Sequence, residues 1–439
     1  MEERTAKYIE VFSEMIKYET ISEYDKIDEK KFLGFHELLK KLFPNVFEKC
    51  EIEVFGCSLL LRLKGKNSDK APVLFMNHHD VVEAGGKWEH EPFAAEVFDG
   101  KLFGRGTLDT KGGLFGMLQA ADELIAEGFE FERDIYFESG CNEETTGEGA
   151  NAISLELEKR GIRFEFVLDE GGMIVSEPIA GVEGLYAMVG MGEKGCADIK
   201  FIAHSNGGHA STPGKNTPLV RLGKFMADVE KSNLFECEMS PTIKEMLSRL
   251  SMGMSGALKS VCGNPGLFKP LIEKVVPSVS PVAGALFKTT LAFTTAKGSD
   301  GLNVLPQEAY VTGNMRYSHH QGRDSSIAEV KKIADKYDIE VVVMDPGFES
   351  SISDYNTDAF RLIEKAVDAS YPGVKTVPYI MTAASDCRFF SRNSDNCLRF
   401  LPFRITDEQM AGIHGLNENV DIDTLAPAVD FYKYIMKNL

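Results

Sequence analysis

No run of 18 consecutive apolar residues occurs in the 439-residue sequence, and a helix needs about 20 of them to cross a bilayer. The amino-terminal stretch does not join a basic patch to an apolar one, so no secretory leader is predicted. Basic charge is in deficit. Lys+Arg 48 against Asp+Glu 67 gives a net charge of −19, the wrong sign for a nucleic-acid or anionic-membrane partner. The cysteines, at 50, 57, 141, 196, 237, 262, 387 and 397, never fall as Cys-x-x-Cys. In a chain this long, that scatter predicts reduced thiols in a cytoplasmic protein. It argues against a disulfide framework and against a cysteine-held structural zinc. Internal repeats and low-complexity tracts are also lacking. Apolar residues are not: at 43% they exclude global disorder and suffice for two or three domains.

The first part of the chain alternates strand and helix. Val73-Leu74-Phe75-Met76 is a continuous apolar run, which predicts a strand buried on both faces. Ile135-Tyr136-Phe137 and residues 164–168 read as two more. Between the first two, Leu114, Met117, Leu118, Ala121, Leu124 and Ile125 recur at helical spacing, and Gly128 ends that helix. This order is the grammar of a doubly wound sheet.

Near Gly192 the pattern changes. Ala197, Ile199, Phe201 and Ala203 alternate with Asp198, Lys200, Ile202 and His204, as in a sheet with one wet face. Residues 218–290 read as largely helical, 309–316 as a strand, 325–337 as a helix and 339–344 as a strand. Asp345-Pro346-Gly347 then makes a turn. Helix and strand alternate again up to a last helix with Leu425, Ala428, Val429, Tyr432, Ile435 and Met436 on one face. The prediction is an α/β fold: a doubly wound mixed sheet from 1–191 and 347–439, interrupted by an α+β domain over 192–346.

Three segments after predicted strands carry His, Asp or Glu. They are Asn77-His78-His79-Asp80, Asn142-Glu143-Glu144 and Asp169-Glu170-Gly171-Gly172. Open α/β sheets bind ligands outside the carboxyl ends of their strands, so these tips can converge. A fourth segment, Gly104-Arg105-Gly106-Thr107-Leu108-Asp109-Thr110-Lys111-Gly112-Gly113, opens the first long helix. Its glycines let the backbone turn Asp109 into the same crevice. Singly, each motif is ordinary: adjacent glutamates are usually solvated, and Asp-Glu-Gly is usually a turn. Jointly they offer imidazole and carboxylate without thiolate, which suits zinc or a similar divalent ion. A nicotinamide-dependent dehydrogenase is excluded, because the third glycine of its fingerprint would fall at Asp109.

Further along come Gly207-Gly208-His209-Ala210-Ser211-Thr212-Pro213, Gly301-Leu302-Asn303-Val304-Leu305-Pro306 and Ile413-His414-Gly415-Leu416-Asn417-Glu418. All these segments stand in the order seen in the di-zinc peptidases, the family of aminoacylase, carboxypeptidase S, glutamate carboxypeptidases and succinyl-diaminopimelate desuccinylase. The chain resembles that family over nearly its whole length. The resemblance implies a zinc-peptidase catalytic domain with an inserted lid or dimerisation domain. It makes His78 a ligand of one zinc and His414 of the other, with Asp109 bridging both. Glu144 would join His414 and Glu170 would join His78, with Asp169 as the alternative to Glu170. Asp80 would orient the His78 ring, and Glu143 would be the general base. His209 would stabilise the oxyanion, in its own chain or across a dimer, while Asn303 and Arg316 hold the substrate carboxylate. Asp386 and Arg388 resemble the family's late substrate-binding loop, although alanines stand at 383 and 384 where glycines are usual. A cis Asp109–Thr110 peptide is implied as well.

Two ions about 3.5–4 Å apart can share a carboxylate and acidify a water between them. Neighbours on an extended backbone diverge, so of Glu143 and Glu144 one binds metal while the other moves protons. The expected protein is a hydrolase with two Zn2+ ions, replaceable by Co2+ or Mn2+. It would cleave an amide bond in a small peptide or N-acyl amino acid with a free carboxylate, and could form a homodimer through the inserted domain. One alternative is a dipeptidase that recognises a free amino terminus. Another is a catalytically silent binding protein on the same fold, against which Glu143 and all five ligand candidates argue.

Overall fold

The computed structural model describes residues 2–24, 26–179, 181–279 and 281–439. The chain divides into two compact units. The first comprises 1–192, 249–260 and 351–439, and the second comprises 193–248 and 261–350.

The first unit is built on an eight-stranded mixed sheet. Its order is Glu51–Phe55, Ser58–Leu63, Ile135–Ser139, Val73–Met76, Val167–Ser176, Cys397–Ile405, Leu185–Glu193 and Lys375–Met381. Val73–Met76 runs parallel to both its neighbours, and all four of its residues are buried. That is why this strand reads as an unbroken apolar run rather than an alternating one. Phe75 sits at the centre, with the rings of Phe137, Phe166 and Tyr432 each about 6 Å away. Tyr432 comes from the final helix, Leu425–Lys437, whose apolar face is buried as the spacing predicts.

The first long helix spans Lys111–Ala126 and is buried on nearly every side. Its glycines make that possible. A Cβ on Gly113 would come within 2.0 Å of Asn77 Oδ1, so the helix start rests directly on the segment that carries His78. The third predicted strand differs from its reading: pairing begins at Val167, not at 164, and continues to Ser176. Asp169 and Glu170 therefore lie inside a strand rather than beyond its tip. Against Cys397–Ile405 the register breaks on either side of the Gly172–Phe400 pair. Gly172 fits there because a Cβ would come within 1.8 Å of the Met188 carbonyl. A bulge of this kind turns side chains without ending the strand.

Segment 249–260 is held to the first unit by the Gly253 carbonyl, which accepts from Glu183 N (2.9 Å), and by the Arg249–Glu364 ion pair.

The second unit carries a four-stranded antiparallel sheet in the order Thr290–Lys297, Glu308–Tyr317, Gly195–His204, Glu340–Asp345. Burial in Glu308–Tyr317 alternates residue by residue. One face packs Ile199, Phe201, Val311 and Met315 against Leu222 and Phe225 of helix Pro218–Lys231 and Val330 and Ile333 of helix Arg323–Lys336. The other face stays wet, as the alternation predicts.

Candidate metal centre

The parallel register carries three segments to one edge of the first unit's sheet. Met76 lies opposite Glu138, and Phe75 opposite Leu168. The residues that follow, His78, Glu143–Glu144 and Asp169–Glu170, therefore emerge side by side. Asp109 arrives from the loop between strand Lys101–Phe103 and helix Lys111–Ala126. His414 arrives from the turn between helix Asp407–Gly412 and strand Asn419–Asp421. Those two loops meet because Asn419 pairs with Phe103. The Asp109–Thr110 peptide is cis, and His414 has a left-handed backbone, φ 57°, which a non-glycine residue adopts at a cost of about 1–3 kcal/mol.

Asp109 is the centre of the constellation. Its Oδ1 lies 3.0 Å from His78 Nε2, and its Oδ2 lies 3.1 Å from His414 Nε2. His414 Nε2 is also 2.9 Å from Glu144 Oε2. Ligand atoms of His78, Asp109 and Glu144 all lie within 4.8 Å of one another. Glu170 is not part of that trio, but it is buried in the fields of Asp109, His78 and Glu144. Its neighbour Asp169 has both oxygens engaged, Oδ1 by Glu170 N and Oδ2 by Cys387 N, each at 2.8 Å.

Asp80 organises the trio from behind. Its carbonyl and Oδ1 lie 3.0 and 3.3 Å from His78 Nδ1. That contact ties up the nitrogen facing the protein and leaves Nε2 for a ligand. The same carboxylate accepts from Glu143 N (3.1 Å), Glu144 N (3.2 Å) and the Ser22 hydroxyl (2.6 Å). Sequence reasoning missed Ser22: a lone serine 58 positions before Asp80 carries no local signal.

Electrostatically the site is crowded with buried acid. Burial, together with Asp386 and Glu170, pushes the Glu143 carboxyl well above the usual range against the pull of His78 and Arg388. Burial and the charges of Asp109 and Asp169 do the same to Glu170. Burial opposes a charge on His78, yet hydrogen bonds to Asp109 and Asp80 hold its pKa well above an ordinary imidazole's. Hydrogen bonds to Asp109 and Glu144 raise His414 to about 10. Asp109 is held below the usual carboxylate range by the two rings despite its burial. Glu144 Oε1 is buried with no hydrogen-bond partner. Unpaired buried charge of this kind is costly, and a bound cation would replace the protons these acids otherwise retain. The donors fit a divalent ion: two imidazoles and carboxylates, with no thiolate among them. All eight cysteines are free thiols.

Arg388 and Asp386 lie beside Glu143. Arg388 Nη1 is 3.7 Å from Glu143 Oε1, and its Nη2 is 3.8 Å from Asp386 Oδ1. Asp386 is buried, which pushes its carboxyl up to about 7.

In the second unit, His209 and Asn303 are brought together by the small ladder Gly208–His209/Val304–Leu305, and Ala210 N donates to the Asn303 carbonyl at 2.9 Å. Both residues are exposed. Ser211 N donates to His209 Nδ1 (3.2 Å). A backbone amide can only donate, so the neutral ring carries its proton on Nε2. Half-buried Arg316 directs Nε to Asn314 Oδ1 at 3.0 Å, and Asn314 donates in turn to Asp198 Oδ1 at 2.7 Å.

Similarity to known proteins extends over nearly the whole chain. Residues 74–438 match the profile described as "Peptidase family M20/M25/M40". "Probable carboxypeptidase S-like 2" of Dictyostelium discoideum is 32% identical over 437 residues, covering 96% of this chain and 83% of that protein. A human protein named "N-fatty-acyl-amino acid synthase/hydrolase" is 30% identical over 412 residues, covering 92% and 82%. Among solved structures, an M20 family metallo-carboxypeptidase from Sulfolobus solfataricus superposes with TM-score 0.71 at 16% identity, covering 98% of each chain. Human carnosine dipeptidase 1 superposes with TM-score 0.66 at 14% identity, covering 100% of this chain and 98% of that one. At such identities these two structures show a shared fold and no more.

Proposed function

The chain belongs to peptidase family M20/M25/M40, and on that premise we propose that it cleaves an amide bond next to a free carboxylate, in a small peptide or an N-acyl amino acid. The observation that carries this reading is Asp109, which meets His78 through one oxygen and His414 through the other. His78 with Glu170 would hold one ion and His414 with Glu144 a second, zinc being the first candidate. When bound, such ions polarise a carbonyl and make water a better acid.

Glu143 is the proton carrier. It takes the proton of the attacking water on its carboxylate and hands it to the leaving nitrogen, a role worth about 10²–10⁴ in rate. Asp80 fixes the backbone of Glu143 and Glu144 together, so the base and the ligand beside it keep their spacing. His209, with its proton on Nε2, is a donor suited to the developing oxyanion. Arg316 and Asn303 hold the substrate carboxylate, Arg316 by a two-pronged bond. Arg388 and Asp386 line the substrate's side of Glu143. A homodimer through the second unit belongs to the same reading, and light scattering tests it.

The names of the two relatives favour carboxypeptidase or N-acyl amino acid chemistry over recognition of a free amino terminus. The decisive experiment is a hydrolysis screen of N-acyl amino acids against free dipeptides, on protein stripped with chelator and then reloaded with zinc. Cleavage restricted to substrates with a free amino terminus would replace this reading by the dipeptidase one. No cleavage of either class by the reloaded protein would leave a silent binding protein.

A further inference from the structure

Glu418 is fully buried, and the proton-transfer and substrate roles above do not use it. Its carboxylate sits in the loop that delivers Asp109. Oε1 accepts from Leu108 N (2.8 Å), Asp109 N (3.1 Å) and Gly106 N (3.1 Å), with the Thr107 hydroxyl at 3.4 Å. Oε2 accepts from Arg105 Nη1 at 2.7 Å. Arg105, exposed by only 1%, spends its other arm on the Gly415 carbonyl, 2.7 Å from Nη2. The Glu418 carbonyl in turn accepts from Gly104 N at 2.9 Å.

A buried Arg–Glu pair is by itself weak evidence of anything beyond packing. The destinations of these bonds are more specific. One end of the network is the backbone amide of Asp109; the other is the carbonyl of Gly415, the residue after His414. We propose that Glu418, acting through Arg105, is a positioning residue that holds Asp109 and His414 in register for a shared pair of ions. The proposal rests on the metal-centre reading above. Asp80 performs the corresponding task for His78 and Glu144, so four of the five candidate ligands are set by two buried carboxylates, each spanning two chain segments. A neutral glutamine could not replace Glu418, because its NH2 group would face the Arg105 and Gly106 donors.

The test is zinc affinity, by competition with a chromogenic chelator on metal-stripped protein, together with the visible spectrum of the Co2+-loaded form. Neither readout depends on turnover, so failure of the amide-hydrolysis reading is recognised separately. Glu418→Gln is expected to weaken zinc about 10–100-fold, the range for residues that support metal ligands, and to alter the cobalt spectrum. Asp122→Asn is the matched control. That buried carboxylate also accepts from backbone, Asn45 N and Val46 N, but in the first turn of helix Pro44–Lys49, away from the site. It should lower Tm and leave zinc affinity unchanged. Arg105→Lys keeps a cation beside Glu418 but drops the bond to Gly415, so it should weaken one of the two ions and spare the other. If Glu418→Gln folds and binds zinc within twofold of wild type, Glu418 is only a structural group and the proposal is overturned. If Glu418→Gln does not fold, Arg105→Lys decides, and wild-type affinity for both ions overturns the proposal. A wild-type protein that binds no zinc removes the metal centre and this proposal with it.

Discussion

The two units handle polar side chains in opposite ways. In the first, His78, Asp80, Asp109, Glu143, Glu144 and Glu170 are packed into the edge of a sheet, His78 and Asp80 fully buried and the other four partly so. In the second, His209 and Asn303 stand exposed on a short ladder, and Arg316 is half-buried on the wet face of a sheet. Burying several carboxylates together is unfavourable unless opposite charge arrives. The acidic cluster of the first unit thus suits a divalent cation, and its geometry is fixed by buried hydrogen bonds. Exposed groups carry no such penalty and can adjust to a substrate. Removing a group from the first unit should therefore damage chemistry or metal binding. Removing one from the second should damage the handling of substrate.

The largest effect expected is at Glu143. Glu143→Gln keeps shape and removes the proton acceptor, so kcat should fall about 10²–10⁴-fold with zinc content unchanged by elemental analysis. Glu144→Gln, one residue away, should instead lose metal. Equal metal loss in both variants would count against the division of labour between these neighbours.

Next comes His209, the exposed residue to which the same reading gives a part in the chemistry. His209→Ala should lower kcat about 10²–10³-fold, as for loss of one oxyanion donor, with metal content intact. Unchanged kcat would leave the second unit as a lid or an assembly surface only, and the comparison would become absolute.

How far the sequence spoke for itself also differs between the units. In the first, the apolar run at Val73–Met76 and the helical spacing from Leu114 were direct readings of burial, and the structure has both elements. In the second, the alternation around Ile199 declared a sheet with one wet face, and that too is present. Strand limits were harder. Asp169-Glu170-Gly171-Gly172 looks like a turn because those residues ordinarily make one, yet here tertiary pairing carries the strand through it. Among the site residues, motif order pointed to His78, Asp109, Glu144 and His414. Beyond Asp80, local sequence could not reveal what supports them. Ser22 and Glu418 act through contacts with residues far away in the chain. For Glu418 a signal did exist: an arginine between two glycines, at 105, needs a counter-charge if it is buried.

A variant at Arg316 tests whether the second unit handles substrate. Arg316→Ala should raise KM for carboxylate-bearing substrates about 10–100-fold, the range for one lost charged hydrogen bond, with kcat nearly preserved. Asn314→Ala, which frees Arg316 Nε, should produce a weaker change in the same direction. A fall in kcat with KM unchanged would mean that Arg316 acts at the transition state rather than on the carboxylate.

The smallest effect concerns an exception to the contrast, because the second unit also buries a cation. Lys194 is 3% exposed, and its ammonium donates to the carbonyls of Ala285 (3.0 Å) and Lys288 (2.8 Å). Burial first, then the charges of Arg316 and Lys288, lower its pKa from 10.5 to about 7. Between those two values the unfolded chain holds a proton that the folded chain has released. Stability must therefore rise with pH across that window, and the penalty is complete below pH 7. Lys194→Met removes the titrating group, so the wild type should gain about 1–2 kcal/mol on this variant between pH 7 and 9, as urea unfolding at both values would measure. Arg316→Ala, by taking away one of the charges that depress Lys194, should narrow the window from below. If wild type and Lys194→Met show parallel pH profiles, Lys194 stays protonated in the folded protein, held by its carbonyl partners, and the second unit tolerates a buried charge as the first does.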